Sequence, residues 1–222
     1  MKKLTALLLL LALALPAVAL AAQPEAAPAP TLTLIGHASV KITTSAGTVV
    51  YIDPYFEGDY TEGADLLLVT HEHRDHNQVD LVTLNEGALF LRVAQTINPD
   101  GSYNTYEHMG VTVETLPAEN RNHPRSASTG FLLGFDGILV YHAGDTSKIP
   151  DMEALAARGV DYALFPIDGQ YNMDPREATE SAALVGARHS IPMHFLNADP
   201  AEFMPENVLR VAYGETIELV GE

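Results

Sequence analysis

The stretch HEHRDH at residues 71–76 decides the fold of this chain and points to its chemistry. It directly follows the apolar run 66–70, which predicts a buried strand. Alternate side chains of an extended segment point the same way, so the first two imidazoles can share one metal ion while the aspartate and third imidazole turn toward a second. Four ligand groups at a strand end predict half of a dinuclear metal site and a hydrolase that activates water. These groups are His71, His73, Asp75 and His76.

Two ions need more than four ligands, and two further residues follow predicted strands. Asp145 comes after the strand predicted at 138–141, and His194 closes the short apolar segment 191–193. A carboxylate such as Asp145 can bridge two ions, although a turn or helix-capping aspartate is the alternative. For His194 the alternative is a buried histidine of the core.

Composition narrows the class of protein. The chain has 222 residues and 47% apolar content, which predicts one globular domain, with two small domains as the alternative. Its formal charge of −17 disfavours nucleic acid as a partner and favours a small-molecule substrate. The absence of cysteine excludes disulfides, thiolate ligands and lipid attachment at the signal cleavage site, so nitrogen and oxygen atoms must hold any metal.

The amino terminus has the pattern of an export signal. Lys2 and Lys3 precede an apolar run that Pro16 interrupts, with small residues near Ala21. We therefore expect a signal peptide at 1–21, a Pro/Ala-rich spacer at 22–30, a folded domain at 31–222, and a periplasmic or secreted protein with no stable membrane insertion after cleavage. An uncleaved membrane anchor is the alternative.

Strand patterns dominate the first half of the chain, and helices alternate with strands in the second. Period-two and β-branched runs predict strands at 31–35, 39–43, 48–52, 66–70, 89–93, 111–116, 131–133, 138–141, 163–165, 190–191 and 216–220. Helices are predicted at 151–158, from the cap at Asp174 to about 185, and at 205–212. This order suggests two sheets packed face to face with helices outside.

Three motifs in order, HEHRDH, YHAGDT (141–146) and IPMHF (191–195), resemble the metallo-β-lactamase-fold hydrolases. IGHAS (35–39), IDP (52–54) and FPI (165–167) make the chain most similar to the branch of small hydrolases that includes the ascorbate phosphate lactonase and N-acyl-phosphatidylethanolamine phospholipase D. The resemblance implies an α/β fold, a four-layer αββα sandwich of two packed mixed β-sheets with outer helices.

The resemblance also implies roles for individual residues. His71 and His73 would hold one ion with a third histidine, Asp75, His76 and His194 would hold the other, and Asp145 would bridge them. A hydroxide between the ions would attack the substrate, oriented by Asp75. Asp53 would accept a hydrogen bond from a ligand histidine, and His37 would act at the rim of the site. Two Zn²⁺ per chain are expected, with Mn²⁺ or Fe possible.

The third histidine departs from the family pattern. The family places it at the end of the strand predicted at 111–116, where this chain continues PAENRNHP (117–124). His123 is the nearest imidazole, several residues beyond the strand, and we favour it. Glu119 or Asn120 is the alternative ligand.

The sequence therefore predicts an exported metal-dependent hydrolase of a small ester, lactone or phosphodiester. A β-lactamase is the runner-up among enzymes, and a non-catalytic periplasmic metal-binding protein is the alternative from another class. Residues 170–173 follow a strand and precede a capped helix, so we expect them at the pocket mouth. The substrate and the oligomeric state stay open.

Overall fold

The computed structural model describes residues 27–221, and the predicted signal peptide at 1–21 lies outside the described residues. Among the helices of that range, none has the length and apolar character needed to cross a bilayer. The strands are β1 (Thr31–Gly36), β2 (Ser39–Thr43), β3 (Val49–Ile52), β4 (Ala64–Leu68), β5 (Leu84–Leu91), β6 (Thr105–His108), β7 (Val111–Pro117), β8 (Thr129–Phe135), β9 (Ile138–His142), β10 (Tyr162–Pro166), β11 (His189–Met193) and β12 (Glu215–Glu218). The α-helices are α1 (Val93–Thr96) and α2 (Pro175–Val185), and 3₁₀ helices cover Val79–Leu81, Pro150–Ala157 and Pro200–Glu202.

Two six-stranded mixed sheets form the domain. Their orders are β12-β1-β2-β3-β4-β5 and β11-β10-β9-β8-β7-β6. In the first sheet β3, β4 and β5 run parallel, and in the second β9, β10 and β11 do; the other neighbours are antiparallel. The predicted pair of packed mixed sheets is confirmed.

Alternation along the strands builds the core between the sheets. Leu66 and Leu68 of β4 face the same buried cluster as Leu133 and Val140 of the opposite sheet. Between them Leu67 points outward into a second cluster. Each fully buried aliphatic side chain contributes roughly 1.5–3 kcal/mol of transfer free energy. Burial of these side chains therefore stabilises the packing of the two sheets against each other.

Helix α2 covers the outer face of the second sheet. Asp174 caps it by accepting a hydrogen bond from Glu177 N at 2.8 Å, and Gly186 ends it in the left-handed region with φ 63. Ala178 and Val185 pack from the helix into the apolar cluster on that face. Loop residues and the 3₁₀ turn Val79–Leu81 cover the first sheet instead of a long helix.

Two helix predictions need correction. The helix predicted at 151–158 is the 3₁₀ helix Pro150–Ala157. The helix predicted at 205–212 is absent, and the segment is turn and extended chain. Its backbone bonds to the edge of the second sheet, where Leu209 N donates to Ser190 O at 2.8 Å, so sheet contacts satisfy groups that a helix would have paired internally.

Candidate metal centre

The predicted metal-ligating residues meet at one edge of the sandwich. Asp53 follows β3 and residues 71–76 follow β4, while Asp145 follows β9 and His194 follows β11. Because the carboxyl ends of parallel strands open at the same edge of a sheet, strands far apart in sequence deliver these groups to one place.

One group consists of His71, His73 and His123, whose ligand atoms lie within 4.8 Å of one another. Nε2 of His123 is 3.1 Å from Nδ1 of His73. Of the two alternatives to His123, Glu119 is turned away and forms an ion pair with Arg125 at 3.0 Å. Asn120 presents its Oδ1 to Nδ1 of His123 at 2.9 Å, so it orients the histidine.

A second group contains His37, Asp75, His76 and His194, again within 4.8 Å of one another. Nε2 of His37 lies 3.2 Å from Oδ2 of Asp75, and its ring packs on that of His194 with centroids 3.6 Å apart. His37 is buried, deeper than the rim position expected from the sequence. The Asp75 side chain is half-exposed and faces the cavity.

Asp145 lies between the two groups. Its Oδ2 is 3.5 Å from Nε2 of both His123 and His194, and its Oδ1 is 3.5 Å from Nε2 of His76. Gly144 sets the turn before it with φ 64, and a Cβ at that glycine would lie 2.6 Å from Thr129 O. A side chain at residue 144 would therefore displace the aspartate.

Asp53 orients the ring of His76 directly and that of His71 through Thr70. It accepts hydrogen bonds from Thr70 N at 2.7 Å, from Thr70 Oγ1 at 2.7 Å and from His76 Nδ1 at 2.8 Å. Because the Thr70 hydroxyl donates to Asp53, its oxygen accepts from Nδ1 of His71 at 3.0 Å. Both rings thus keep a lone pair on Nε2, the atom that faces the centre.

Asp168 lies in the corresponding position beside Nδ1 of His194, a role that was not predicted from the sequence. Its Oδ2 lies 3.1 Å from His194 Nδ1, a close polar contact that lacks the geometry of a hydrogen bond. Its Oδ1 accepts the backbone N–H groups of Gln170 at 2.8 Å and Tyr171 at 2.6 Å. The available signal was its position just beyond the strand at 163–165, next to a glycine.

Three residues of the centre have left-handed backbone conformations. The φ angles are 56 for His37, 49 for Asp53 and 51 for His194. Such conformations cost about 1–3 kcal/mol each outside glycine and cluster at functional sites. The His194 N–H donates to His37 O at 2.8 Å, so the two turns hold each other in this geometry.

The charges of the centre are strongly coupled. Burial alone would raise the pKa of Asp145, but His76 and His194 outweigh it and hold that pKa well below its usual range. Burial lowers the pKa of His71 to about 3, helped by the neighbouring His76. Burial also opposes the charge on His76, yet Asp145 and Asp53 raise its pKa well above the ordinary value.

Buried atoms without hydrogen-bond partners test whether divalent ions fit here. Among the described residues they include Nε2 of His71, His76 and His194 and Oδ1 of Asp145. Leaving such atoms unpaired costs about 1–3 kcal/mol each. Imidazole nitrogens and carboxylate oxygens are ligands of zinc, iron and manganese, so divalent ions fit here and would partner all four atoms.

A cavity of about 520 Å³ opens onto the centre. Its lining residues are His73, Asp75, Asn122, His123, Asp145, Tyr171 and His194. Of the segment 170–173, Tyr171 lines the cavity as expected, while Met173 is fully buried under α2 and takes no part. A cavity of this volume suits a small molecule.

Comparisons with known proteins identify the family and agree with the fold. The family described as Beta-lactamase superfamily domain matches residues 31–194. A UPF0173 metal-dependent hydrolase of Pyrococcus furiosus is 32% identical over 85% of this chain and 99% of its own length. A solved metal-dependent hydrolase of Parabacteroides distasonis has a TM-score of 0.70 and 26% identity over 82% of this chain and 92% of its own. A solved Zn-dependent hydrolase of the metallo-β-lactamase superfamily from Thermotoga maritima has a TM-score of 0.56 and 26% identity over 79% and 81% of the two chains.

Proposed function

The chain belongs to the metallo-β-lactamase superfamily of metal-dependent hydrolases, and from that premise we propose that it cleaves a small uncharged ester or lactone at two divalent metal ions. His71, His73 and His123 would hold one ion, and Asp75, His76 and His194 the other. The observation that carries the proposal is Asp145, whose two oxygens lie 3.5 Å from nitrogens of both groups. Zinc is the proposed metal, with manganese or iron as alternatives.

When bound, the ions would lower the pKa of a water molecule and polarise the bond to be cleaved. Asp75 would orient that water by accepting a hydrogen bond. The hydrogen bond from His37 lowers the pKa of Asp75 below its usual range, so the carboxylate stays ionised and acts as an acceptor. His37 would hold Oδ2 of Asp75 in place from 3.2 Å away, leaving the half-exposed carboxylate aimed into the cavity.

Charge favours a neutral substrate. Asp53, Asp75, Asp145 and Asp168 all lie within 4.0 Å of histidine nitrogens of the centre, and four carboxylates balance two divalent ions. The described residues that line the cavity include no lysine or arginine. A phosphodiester would therefore meet little net positive charge, while an ester or lactone carbonyl needs none.

The test is hydrolysis by the metal-loaded protein of three substrate types: neutral nitrophenyl esters and lactones, a bis-nitrophenyl phosphodiester, and a chromogenic β-lactam. We expect the first type to be cleaved with the highest kcat/KM. In the Asp75→Asn variant, turnover should fall while metal binding is retained in part. A preference for the phosphodiester or the β-lactam would replace the proposed substrate class, and no turnover of any substrate would favour a metal-binding protein.

We also propose that the protein works outside the cytoplasm, on the strength of the pattern at residues 1–21 alone. Cell fractionation followed by amino-terminal sequencing would test it. A mature protein that starts at residue 22 in the periplasmic or secreted fraction is the expected result, and an intact chain that stays in the cytoplasm would contradict it.

A further inference from the structure

A chain of side-chain contacts joins the two histidine groups behind the cavity. Nδ1 of His123 lies 2.9 Å from Oδ1 of Asn120, whose Nδ2 donates to Oδ1 of Asn172 at 2.9 Å. Nδ2 of Asn172 donates to Oδ2 of Asp168 at 2.8 Å, and that oxygen lies 3.1 Å from Nδ1 of His194. We call the three linking residues, Asn120, Asn172 and Asp168, the amide bridge.

The direction of each contact is determined by its neighbours. Oδ1 of Asn120 also accepts the backbone N–H groups of Asn122 at 2.8 Å and His123 at 3.0 Å, so the oxygen and not the nitrogen faces the histidine. The carboxylate of Asp168 only accepts, so Asn172 turns its amide nitrogen to Asp168 and its oxygen to Asn120. The amide nitrogen of each asparagine in the bridge therefore faces an acceptor oxygen.

Resting on the proposed function, we propose that the amide bridge couples the two metal-binding groups. It sets the spacing between His123 and His194, which approach Oδ2 of Asp145 from two sides at 3.5 Å. An ion that orders His123 orders the bridge and with it His194, so the second ion meets a preformed group and binds more tightly. Asn172 is a positioning residue, because it does not line the cavity and its side chain hydrogen-bonds to Asn120 and Asp168 and not to a histidine.

Separate contacts keep the two loops together when the bridge is cut. Nη2 of Arg121 donates to Gln170 O at 3.0 Å, and Nδ2 of Asn122 donates to Tyr171 O at 3.0 Å. These contacts end on backbone carbonyls and do not reach either histidine. A change at Asn172 should thus break the side-chain path and leave the loops docked.

Two variants cut the bridge in different ways. Asn172→Ala removes both side-chain hydrogen bonds and leaves the backbone contact from Asn172 N to Asp168 Oδ1 at 3.3 Å. Asn172→Asp keeps the acceptor for Asn120 but sets a carboxylate against Asp168. The matched control is Asn98→Ala, which breaks a similar amide pair, Asn98 Nδ2 to Asn104 Oδ1 at 2.8 Å, in the loop before β6. Thermal melting of the metal-free variants would establish that all three fold.

The experiment titrates each metal-free protein with Zn²⁺ by calorimetry and with Co²⁺ by visible absorption. The wild type and the control should bind two ions with positive cooperativity. Both Asn172 variants should lose the cooperativity, bind the second ion about 10–100-fold more weakly, and change the Co²⁺ spectrum of the second site. Asn172→Asp should leave the first site close to wild type.

Three results would overturn the proposal. Non-cooperative binding of two ions by the wild type would show that the groups are not coupled, while leaving the proposed function intact. Unchanged affinities and Co²⁺ spectra in both Asn172 variants would show that the bridge positions nothing. A wild-type protein that binds no divalent ion would remove the proposed function itself, and the bridge with it.

Discussion

The two sheets have the same pairing pattern but supply the centre in different ways. Each has three antiparallel junctions followed by two parallel ones, so β3 corresponds to β9, β4 to β10 and β5 to β11. The first sheet places four candidate ligand groups in one loop after β4. The second places His123, Asp145 and His194 after three separate strands.

The outer contacts repeat across the two sheets. Asp53, beyond β3, holds Nδ1 of His76 at 2.8 Å, and Asp168, beyond β10, holds Nδ1 of His194 at 3.1 Å. The two aspartates differ in their surroundings. Asp53 is fully buried and hydrogen-bonds to the buried Thr70, while Asp168 also accepts hydrogen bonds from the backbone of an exposed turn. The first sheet therefore offers a rigid half-site, and the second one depends on contacts between loops.

Asp145 lies between the two histidine groups, and its substitution should have the largest effect on metal binding. Asp145→Asn removes a negative charge shared by His76, His123 and His194. We expect the affinity for both ions to fall by more than the about 10–100-fold typical of a residue behind the ligands. Metal analysis and calorimetric titration would measure this, and two ions bound with wild-type affinity would show that Asp145 bridges nothing.

Asn substitutions at Asp53 and Asp168 compare the two supports directly. Asp53→Asn loses an ionised acceptor with three hydrogen bonds in the core, so it should weaken metal binding by about 100-fold, against about 10-fold for Asp168→Asn. The melting temperature of the metal-free protein should also fall more in Asp53→Asn than in Asp168→Asn, since burial makes the lost hydrogen bonds of Asp53 more costly. The reverse order would mean that the second sheet holds the more rigid half-site.

Lowering the pH should reduce the folding stability of the metal-free protein, in part through protonation of Asp168. Burial alone would raise the pKa of Asp168, but the contact with His194 and the amide of Tyr171 lower it to about 2. A carboxyl whose pKa is lowered by folding stabilises the fold above its ordinary pKa of about 4, and that stabilisation is lost as the pH falls toward 2. Urea unfolding between about pH 5 and pH 2 should be less pH-dependent in Asp168→Asn than in the wild type. An equal dependence of unfolding free energy on pH in the two proteins would show that Asp168 does not contribute to the acid sensitivity.

The smallest effect is expected at Glu119, which tests the alternative to His123. Glu119→Gln weakens a partly exposed ion pair with Arg125, a change worth less than about 1 kcal/mol of unfolding free energy. Metal content should stay at the wild-type value in the purified variant. Loss of an ion would make Glu119 a ligand and reopen the composition of the first group.

Much of the first half-site could be predicted, because its ligands are contiguous and follow one strand. Asp145 and His194 could be singled out from their positions at strand ends. Asp168 could not, since an aspartate before a glycine is typical of any turn, and its role depends on the pairing of Pro166 with Met193 that sets β10 beside β11.

The position of His123 depends on the folding of one loop. Asn120 N donates to His123 O at 2.9 Å and His123 N donates to Asn120 O at 3.2 Å, which turns the chain back toward His71. No periodic pattern in residues 117–124 encodes that reversal. The helix wrongly predicted at 205–212 failed for a related reason, because its backbone is satisfied by a sheet edge far away in sequence.

We propose that two ions bind at the edge of the sandwich where the two sheets meet, one of them in a group that needs His123. Metal content of the purified protein, measured beside His123→Ala, tests it most directly. The account predicts two ions per chain in the wild type and one in the variant. One ion per chain, unchanged by the substitution, would contradict it.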